Sequence, residues 1–297
     1  MSGTDTGHGL RTALLTLLAL IAFAANSVLC RLALATGAID AASFTTVRLV
    51  SGAVALWLIL ALTAKPGTPR ARGSWVSAAM LFLYAVSFSF AYVSLPTGTG
   101  ALILFGMVQV TMILAGVASG ERPHVIEWLG LGCAAVGLVY LMLPGLSAPS
   151  PLGAALMALA GVAWGIYSLR GRGSKNPIAV TADNFARSVP MVLLVSVLML
   201  GQLAVTAPGL LLAVASGAIA SGVGYVIWYA ALPGLTATRA ATVQLCVPVI
   251  AAMGGVLFLD EAITLRLIVS GVAVLGGVAL AVWGHRHFAR ARRAASR

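Results

Sequence analysis

The sequence predicts an all-α integral membrane protein with ten transmembrane helices arranged as two inverted five-helix repeats. Three observations lead there. The 297-residue chain is 60% hydrophobic and only 8% charged, with a mean hydropathy of +1.03, whereas a soluble domain keeps about a quarter of its residues charged. Its apolar residues fall into ten runs, each near the roughly 20 residues that a helix needs to cross about 30 Å of hydrocarbon. Its basic residues cluster in alternate connections, as they do when cytoplasmic loops retain Lys and Arg.

In chain order the runs cover residues 10–32, 42–64, 74–94, 98–119, 125–143, 152–170, 180–201, 208–231, 237–258 and 263–284. They are continuously apolar, so barrel strands, which alternate apolar and polar over about ten residues, are not expected. Turn residues separate them, as in Lys65-Pro66-Gly67, Pro144-Gly145 through Pro151, and Pro233-Gly234. The first run sits where a signal peptide would, but it is too long for an h-region and no small-x-small site ends it. Leu29 before Cys30 also makes a poor lipoprotein signal, so the run is read as a span. Three units follow: a first repeat over 10–143, a second over 152–284, and a basic tail over 285–297.

The net charge of +11 would suggest nucleic acid in a soluble protein. Here the charges give a topology instead. With the N-terminus cytoplasmic, fourteen basic residues fall inside: Arg11, Lys65, Arg70, Arg72, Arg122, Arg170, Arg172, Lys175, Arg239 and five in the tail. Only Arg31 and Arg266 fall outside, while Arg48 and Arg187 lie within helices. Anionic lipid and the membrane potential produce such a bias. Both termini are therefore expected in the cytoplasm of a cell whose Ala- and Gly-rich composition suggests a bacterial plasma membrane.

The halves repeat one another. Leu95-Pro96 matches Leu232-Pro233, which aligns Phe88 with Tyr225 and Tyr92 with Tyr229. Val108-Gln109-Val110 resembles Val243-Gln244-Leu245, Phe23-Ala24-Ala25-Asn26 aligns with Trp164-Gly165-Ile166-Tyr167, and Arg48 with Arg187. An odd number of spans per unit turns the second upside down, the architecture of many secondary transporters, whose site lies near the midplane between the repeats.

Polar groups inside the spans are the candidate site. Gln109, Gln244 and Asn26 need hydrogen-bond partners in hydrocarbon, and either a neighbouring helix or a substrate can supply them. Tyr84, Phe88 and Tyr92 form one aromatic stripe, and Tyr225, Trp228 and Tyr229 its counterpart; ring plus hydroxyl suits a pocket wall. Trp75, Trp128 and Trp283 fit an interfacial belt. Among the charges, Asp183 stands four before Arg187, an ion-pair spacing, and Arg48 has no acid there. Arg48 and Arg187 either anchor helix ends or hold a substrate carboxylate. Glu121 and Glu261 lie at the wrong end of a helix dipole for a carboxylate, so each is expected to cap the following helix or meet a basic residue. Gating is the alternative reading for these charges. All seven acids and four histidines lie at segment ends, which leaves no mid-membrane proton carrier and favours a neutral or zwitterionic substrate, or coupling at the cavity mouths. Cys30, Cys133 and Cys246 have no CxxC partner and are expected as buried thiols.

These residues resemble the drug/metabolite transporter superfamily, in particular two EamA-type repeats. The marks are Trp164-Gly165 with Arg172 eight residues after the Trp, Arg48 and Arg187 early in the second helix of each half, and Pro248 thirteen residues before Glu261. The first half departs from the pattern, with Phe23-Ala24 and Val108 at the corresponding places. The resemblance implies a cavity lined by helices 1, 3 and 4 with their mates 6, 8 and 9, to which Trp164 and Tyr167 would contribute. It also implies transport of amino acids, other metabolites, nucleotide sugars or drugs; fold alone does not choose among them.

The expected function is a secondary transporter, an exporter of a small metabolite such as an amino acid, working by alternating access. A non-transporting scaffold or receptor is the alternative. An intramembrane enzyme has less to support it: HExxH and GxSxG are absent, and Ser221-Gly222 has no histidine within any span to activate it. No catalytic residue, metal or cofactor is expected. The bilayer and a small-molecule substrate are the expected partners, nucleic acid is not, and homodimerisation is compatible with the reading.

Overall fold

The computed structural model describes residues 3–63, 72–119, 125–143, 148–172, 174–235, 240 and 243–295, with side chains from 9 to 284 within these ranges. The helices are α1 Gly3–Ala35, α2 Ala41–Thr63, α3 Trp75–Tyr92, α4 Thr97–Ala118 and α5 Val125–Met142, then α6 Pro151–Gly171 and α7 Pro177–Leu198. They continue with α8 Ala207–Gly234, α9 Val247–Leu259 and α10 Leu265–Ala295. Among the described residues nine of them are long and apolar enough to span a membrane; α9, at 13 residues, is shorter. The chain is an all-α, multi-pass membrane protein built as two inverted five-helix repeats.

Local chemistry fixes the starts. Ser74, Ser150, Asn176 and Thr206 each accept the N–H three residues on, and so cap α3, α6, α7 and α8. Proline occupies the first turn of α6, α7 and α8, where its missing N–H costs nothing. Asp40 caps α2 through the N–H of Ser43 at 2.9 Å. A second oxygen of the same carboxylate accepts from Ala204 at 3.2 Å, tying the α1–α2 turn to the segment before α8.

Packing follows a pseudo-two-fold. α3 packs on α6 as α8 packs on α1; α4 packs on α6 as α9 packs on α1; α7 packs on α3 as α2 packs on α8. The mates α2 and α7, α4 and α9, and α5 and α10 pack on each other. Small residues allow this approach. A side chain at Gly217 would strike the backbone of Arg48, and side chains at Gly130 and Gly277 would each strike the other's carbonyl.

Three expectations change. The ninth run is not one helix: residues 243–244 are helical, Leu245 and Cys246 form a turn, and α9 restarts at Val247. Pro248 has no N–H to give the Gln244 carbonyl, so the winding breaks there. α8 is not uniform either, because Ala215–Val223 is π-helical between two α-helical stretches. Of the cysteines, Cys30 is buried, but Cys133 and Cys246 are exposed: their stretches have bare apolar outer faces, so an apolar position need not be a buried one.

Candidate functional site

A cavity lies between the repeats. Its walls are Phe23, Asn26 and Ser27 of α1, Tyr84 and Phe88 of α3, Leu104 and Phe105 of α4, Trp164 of α6, Tyr225 of α8, and Gln244 at the break before α9. Five helices and the segment before α9 thus contribute, three elements from each repeat.

The walls are chiefly aromatic and touch in a chain. Trp164 stacks on Tyr225 at 5.5 Å and 20°, and on Tyr167 at 5.4 Å and 27°. Tyr84 lies 4.8 Å from Trp164 and 5.4 Å from Phe88, which meets Tyr92 edge-on at 4.7 Å. Phe23 closes the other side, 5.9 Å from Tyr225 and 5.7 Å from Trp228. Ring pairs at these separations add about 0.5–1.5 kcal/mol each beyond their burial, so the wall is cohesive. The cavity is about 20 Å³, room for about one water, whereas ligand sites run to about 300–1,000 Å³. No metabolite-sized solute fits in this conformation.

Asn26 is anchored by the π-helical stretch. Its Oδ1 accepts from the Ser216 hydroxyl at 2.8 Å and the Ser221 hydroxyl at 3.2 Å. The wide π turn of α8 brings both hydroxyls to one amide; such turns recur at functional sites. Ser221 is therefore a hydrogen-bond donor to Asn26 in this conformation.

Arg48 is the unusual charge. It is 2% exposed. Its guanidinium lies over the rings of Tyr84 at 5.2 Å and Phe88 at 4.8 Å, and Nη2 donates to the Tyr84 hydroxyl at 3.0 Å. Nη1 has no hydrogen-bond partner among the described residues. A desolvated cation–π contact is worth about 2 kcal/mol, so two rings offset much of the roughly 2.5–3.5 kcal/mol that an arginine costs on insertion scales. An idle N–H group adds about 1–3 kcal/mol of cost. Its repeat mate is arranged differently: Arg187 Nε meets Asp183 at 2.9 Å, and the guanidinium lies 5.1 Å from the Trp75 ring.

Polar ties join the helices at both ends of the cavity. At one end Arg31 Nη1 donates to the carbonyls of Tyr92 at 3.0 Å and Val93 at 2.9 Å, while Nε meets Glu261 at 3.4 Å. Glu261 also accepts the Thr97 N–H at 2.7 Å, so it caps α4 and pairs with a base at once. Asp260, at φ 52°, turns the chain so that Glu261 can reach back over Gly255, where any side chain would strike it. A depression of about 260 Å³ opens beside this tie, lined in part by Ser94, Thr99, Ser150, Glu261 and Thr264. At the other end Asp183 accepts the Gly73 N–H at 2.7 Å, and Asn184 accepts the Ser74 N–H at 3.0 Å. Tyr229 and Thr181 share a hydrogen bond of 3.0 Å there.

Six of the cavity residues expected from sequence line the cavity: Asn26, Tyr84, Phe88, Trp164, Tyr225 and Gln244. Five do not. Tyr92 is buried toward the Arg31 end with its hydroxyl on the Thr97 carbonyl at 3.2 Å. Gln109 is buried in α4 one turn beyond Phe105, the last residue of that helix on the lining. Tyr167, Trp228 and Tyr229 form the layer behind the wall. Glu121 lies outside the described residues. Phe23, Ser27, Leu104 and Phe105 line the cavity without having been singled out. Phe23 was detectable as the repeat mate of Trp164; Leu104 and Phe105 carry no signal in an apolar run.

The fold and cavity define a ten-helix membrane protein of the inverted-repeat class. The sequence pattern of the EamA-like transporter family matches residues 10–143 and 151–283. The chain belongs to that family of membrane transporters. It is 55% identical over 270 residues to Uncharacterized protein PA1977 of Pseudomonas aeruginosa, covering 91% of this chain and 94% of the relative. A solved structure titled "Crystal structure of protein" shares the fold, with a TM-score of 0.64 at 21% identity over 91% of this chain and 98% of that one.

Proposed function

We propose that the chain is a secondary transporter that exports a small metabolite, such as an amino acid, across a bacterial inner membrane by alternating access. One observation carries the reading: a cavity walled by polar and aromatic side chains from both repeats, among them Asn26, Tyr84, Trp164, Tyr225 and Gln244. Inverted-repeat transporters hold substrate at that place. Polar ties at both ends of the cavity, with Arg31–Glu261 at one and Asp183–Gly73 at the other, are the kind of contacts that would break in turn as each side opens. The broken ninth run places a turn beside Gln244 at the wall. The fourteen-to-two distribution of basic residues supports cytoplasmic termini.

The test is solute counterflow in proteoliposomes with a pool of labelled amino acids and small organic acids. Uptake driven by the same unlabelled solute inside supports the reading, and uptake no faster than in empty liposomes contradicts it. Expression in cells should lower the intracellular level of the transported solute, and a raised level would contradict export. A reporter fused after Arg297 that worked only in the periplasm would contradict the orientation.

A further inference from the structure

We infer that Arg48 binds the carboxylate of the transported solute, so that the substrate class is a small carboxylate-bearing molecule with an apolar or zwitterionic remainder. This rests on the transport reading above.

Four observations converge. Arg48 is 2% exposed and keeps Nη1 without a partner among the described residues. Arg31 pairs with Glu261 and Arg187 with Asp183, whereas Arg48 meets no carboxylate among the described residues. The residue one helical turn earlier, where Asp183 serves Arg187, is the fully buried Phe44. One repeat thus carries its own counter-anion at this position, and the other holds the same cation against ring faces and a phenol. Lastly, both rings that the guanidinium covers, Tyr84 and Phe88, are walls of the central cavity, and Nη2 is bonded to the Tyr84 hydroxyl.

Arg48 therefore stands one side chain behind the cavity, fixed in direction by Tyr84. A guanidinium binds a carboxylate through two parallel N–H donors. In the cavity of about 20 Å³ no solute fits. When the aromatic wall parts, Nη1, which has no partner among the described residues, and the Tyr84 hydroxyl can both donate to an entering anion. The faces of Trp164 and Tyr225 would take the solute's apolar part or its ammonium group. The scarcity of acids in the spans agrees: a site lined by carboxylates would repel such a solute.

The experiment uses the full chain in proteoliposomes and matched probes: L-leucine, L-phenylalanine and benzoate, each beside its carboxamide. Wild type should carry at least one acid about 30-fold faster than its carboxamide, as loss of one member of a buried charge pair implies. Arg48→Gln should lose that preference. Arg48→Lys should keep the sign of the preference with a lower rate. Phe44→Glu, which supplies an internal anion one turn before Arg48, should stay monodisperse and block acid uptake. Acids and carboxamides carried equally by wild type would overturn the assignment without any variant. So would Arg48→Gln or Phe44→Glu with the preference intact. If wild type carries only uncharged or cationic solutes from a wider pool, transport stands and the carboxylate assignment falls. If it carries nothing, both fall.

Discussion

Glu261, two residues past the end of α9, accepts the backbone N–H of Thr97, the first residue of α4, at 2.7 Å. The same carboxylate meets Arg31 of α1 at 3.4 Å. One side chain of the second repeat thus holds two helices of the first.

Removing that carboxylate should loosen this end first. Glu261→Ala is expected to destabilise the protein by about 1–3 kcal/mol, the cost of leaving a donor and a cation without their acceptor. Glu261→Gln keeps an acceptor for Thr97 and loses only a partly exposed ion pair, worth up to about 1 kcal/mol. Thermal unfolding of the purified variants checks the order. Equal losses would show that the cap contributes nothing.

Gly217 allows α8 to touch the backbone of Arg48 in α2. Gly217→Ala is expected to cost about 1–3 kcal/mol through overpacking. Gly132 faces open space in α5, so Gly132→Ala should be neutral or stabilising by up to about 1 kcal/mol. A pair of melting curves decides it, and a Gly217→Ala protein as stable as wild type would refute the close approach.

Asp40 lies in the α1–α2 turn, outside the spans. Burial works to raise its pKa, but hydrogen bonds from the Ser43 hydroxyl and from the N–H groups of Ser43, Ala204 and Ala42 outweigh burial and hold the carboxyl below its ordinary 3.8. A folded-state pKa below the unfolded one stabilises the fold above the unfolded value and ceases to do so as pH falls through the folded value. Wild type should therefore exceed Asp40→Asn in melting temperature at pH 6–7, and the gap should close below about pH 4. A gap that widens in acid would contradict the sign.

Pro248 is the reason the Gln244 carbonyl lacks its helical donor. Pro248→Ala restores an N–H, and the turn at Leu245–Cys246 should wind into helix. Stability should change by no more than about 1 kcal/mol, since proline is already tolerated in a first turn. Transport should fall, because Gln244 leaves its place at the cavity wall. Hydrogen exchange at residues 244–250 reads the winding, and counterflow reads the rate. Unaltered flux in a protein with a continuous helix would show that the break has no part in transport.

Most of the fold was legible because membrane spans announce themselves by length and hydropathy, and the repeats by paired residues such as Arg48 with Arg187. The break before α9 was legible only as Pro248. The π-helical stretch of α8 was not, since nothing in the residue types of Ala215–Val223 marks a wide turn; it takes Asn26 of another helix to show what that turn does. In the site, aromatics at four-residue spacing identified the right helix faces and not the depth, so Tyr225 lines the cavity while Tyr229 stands behind it. Arg31 reads in sequence only as an outer-side charge, because its partners are two backbone carbonyls 61 and 62 positions away and a carboxylate 230 away. Nothing local in the sequence encodes those contacts.

The most direct measurement is counterflow uptake in proteoliposomes by wild type, Tyr225→Ala and Gln244→Ala, each checked for monodispersity. The cavity account predicts measurable uptake by wild type and at least a tenfold loss in both variants, about 1.4 kcal/mol or more of lost interaction with the solute. Uptake by both variants at the wild-type rate would contradict it.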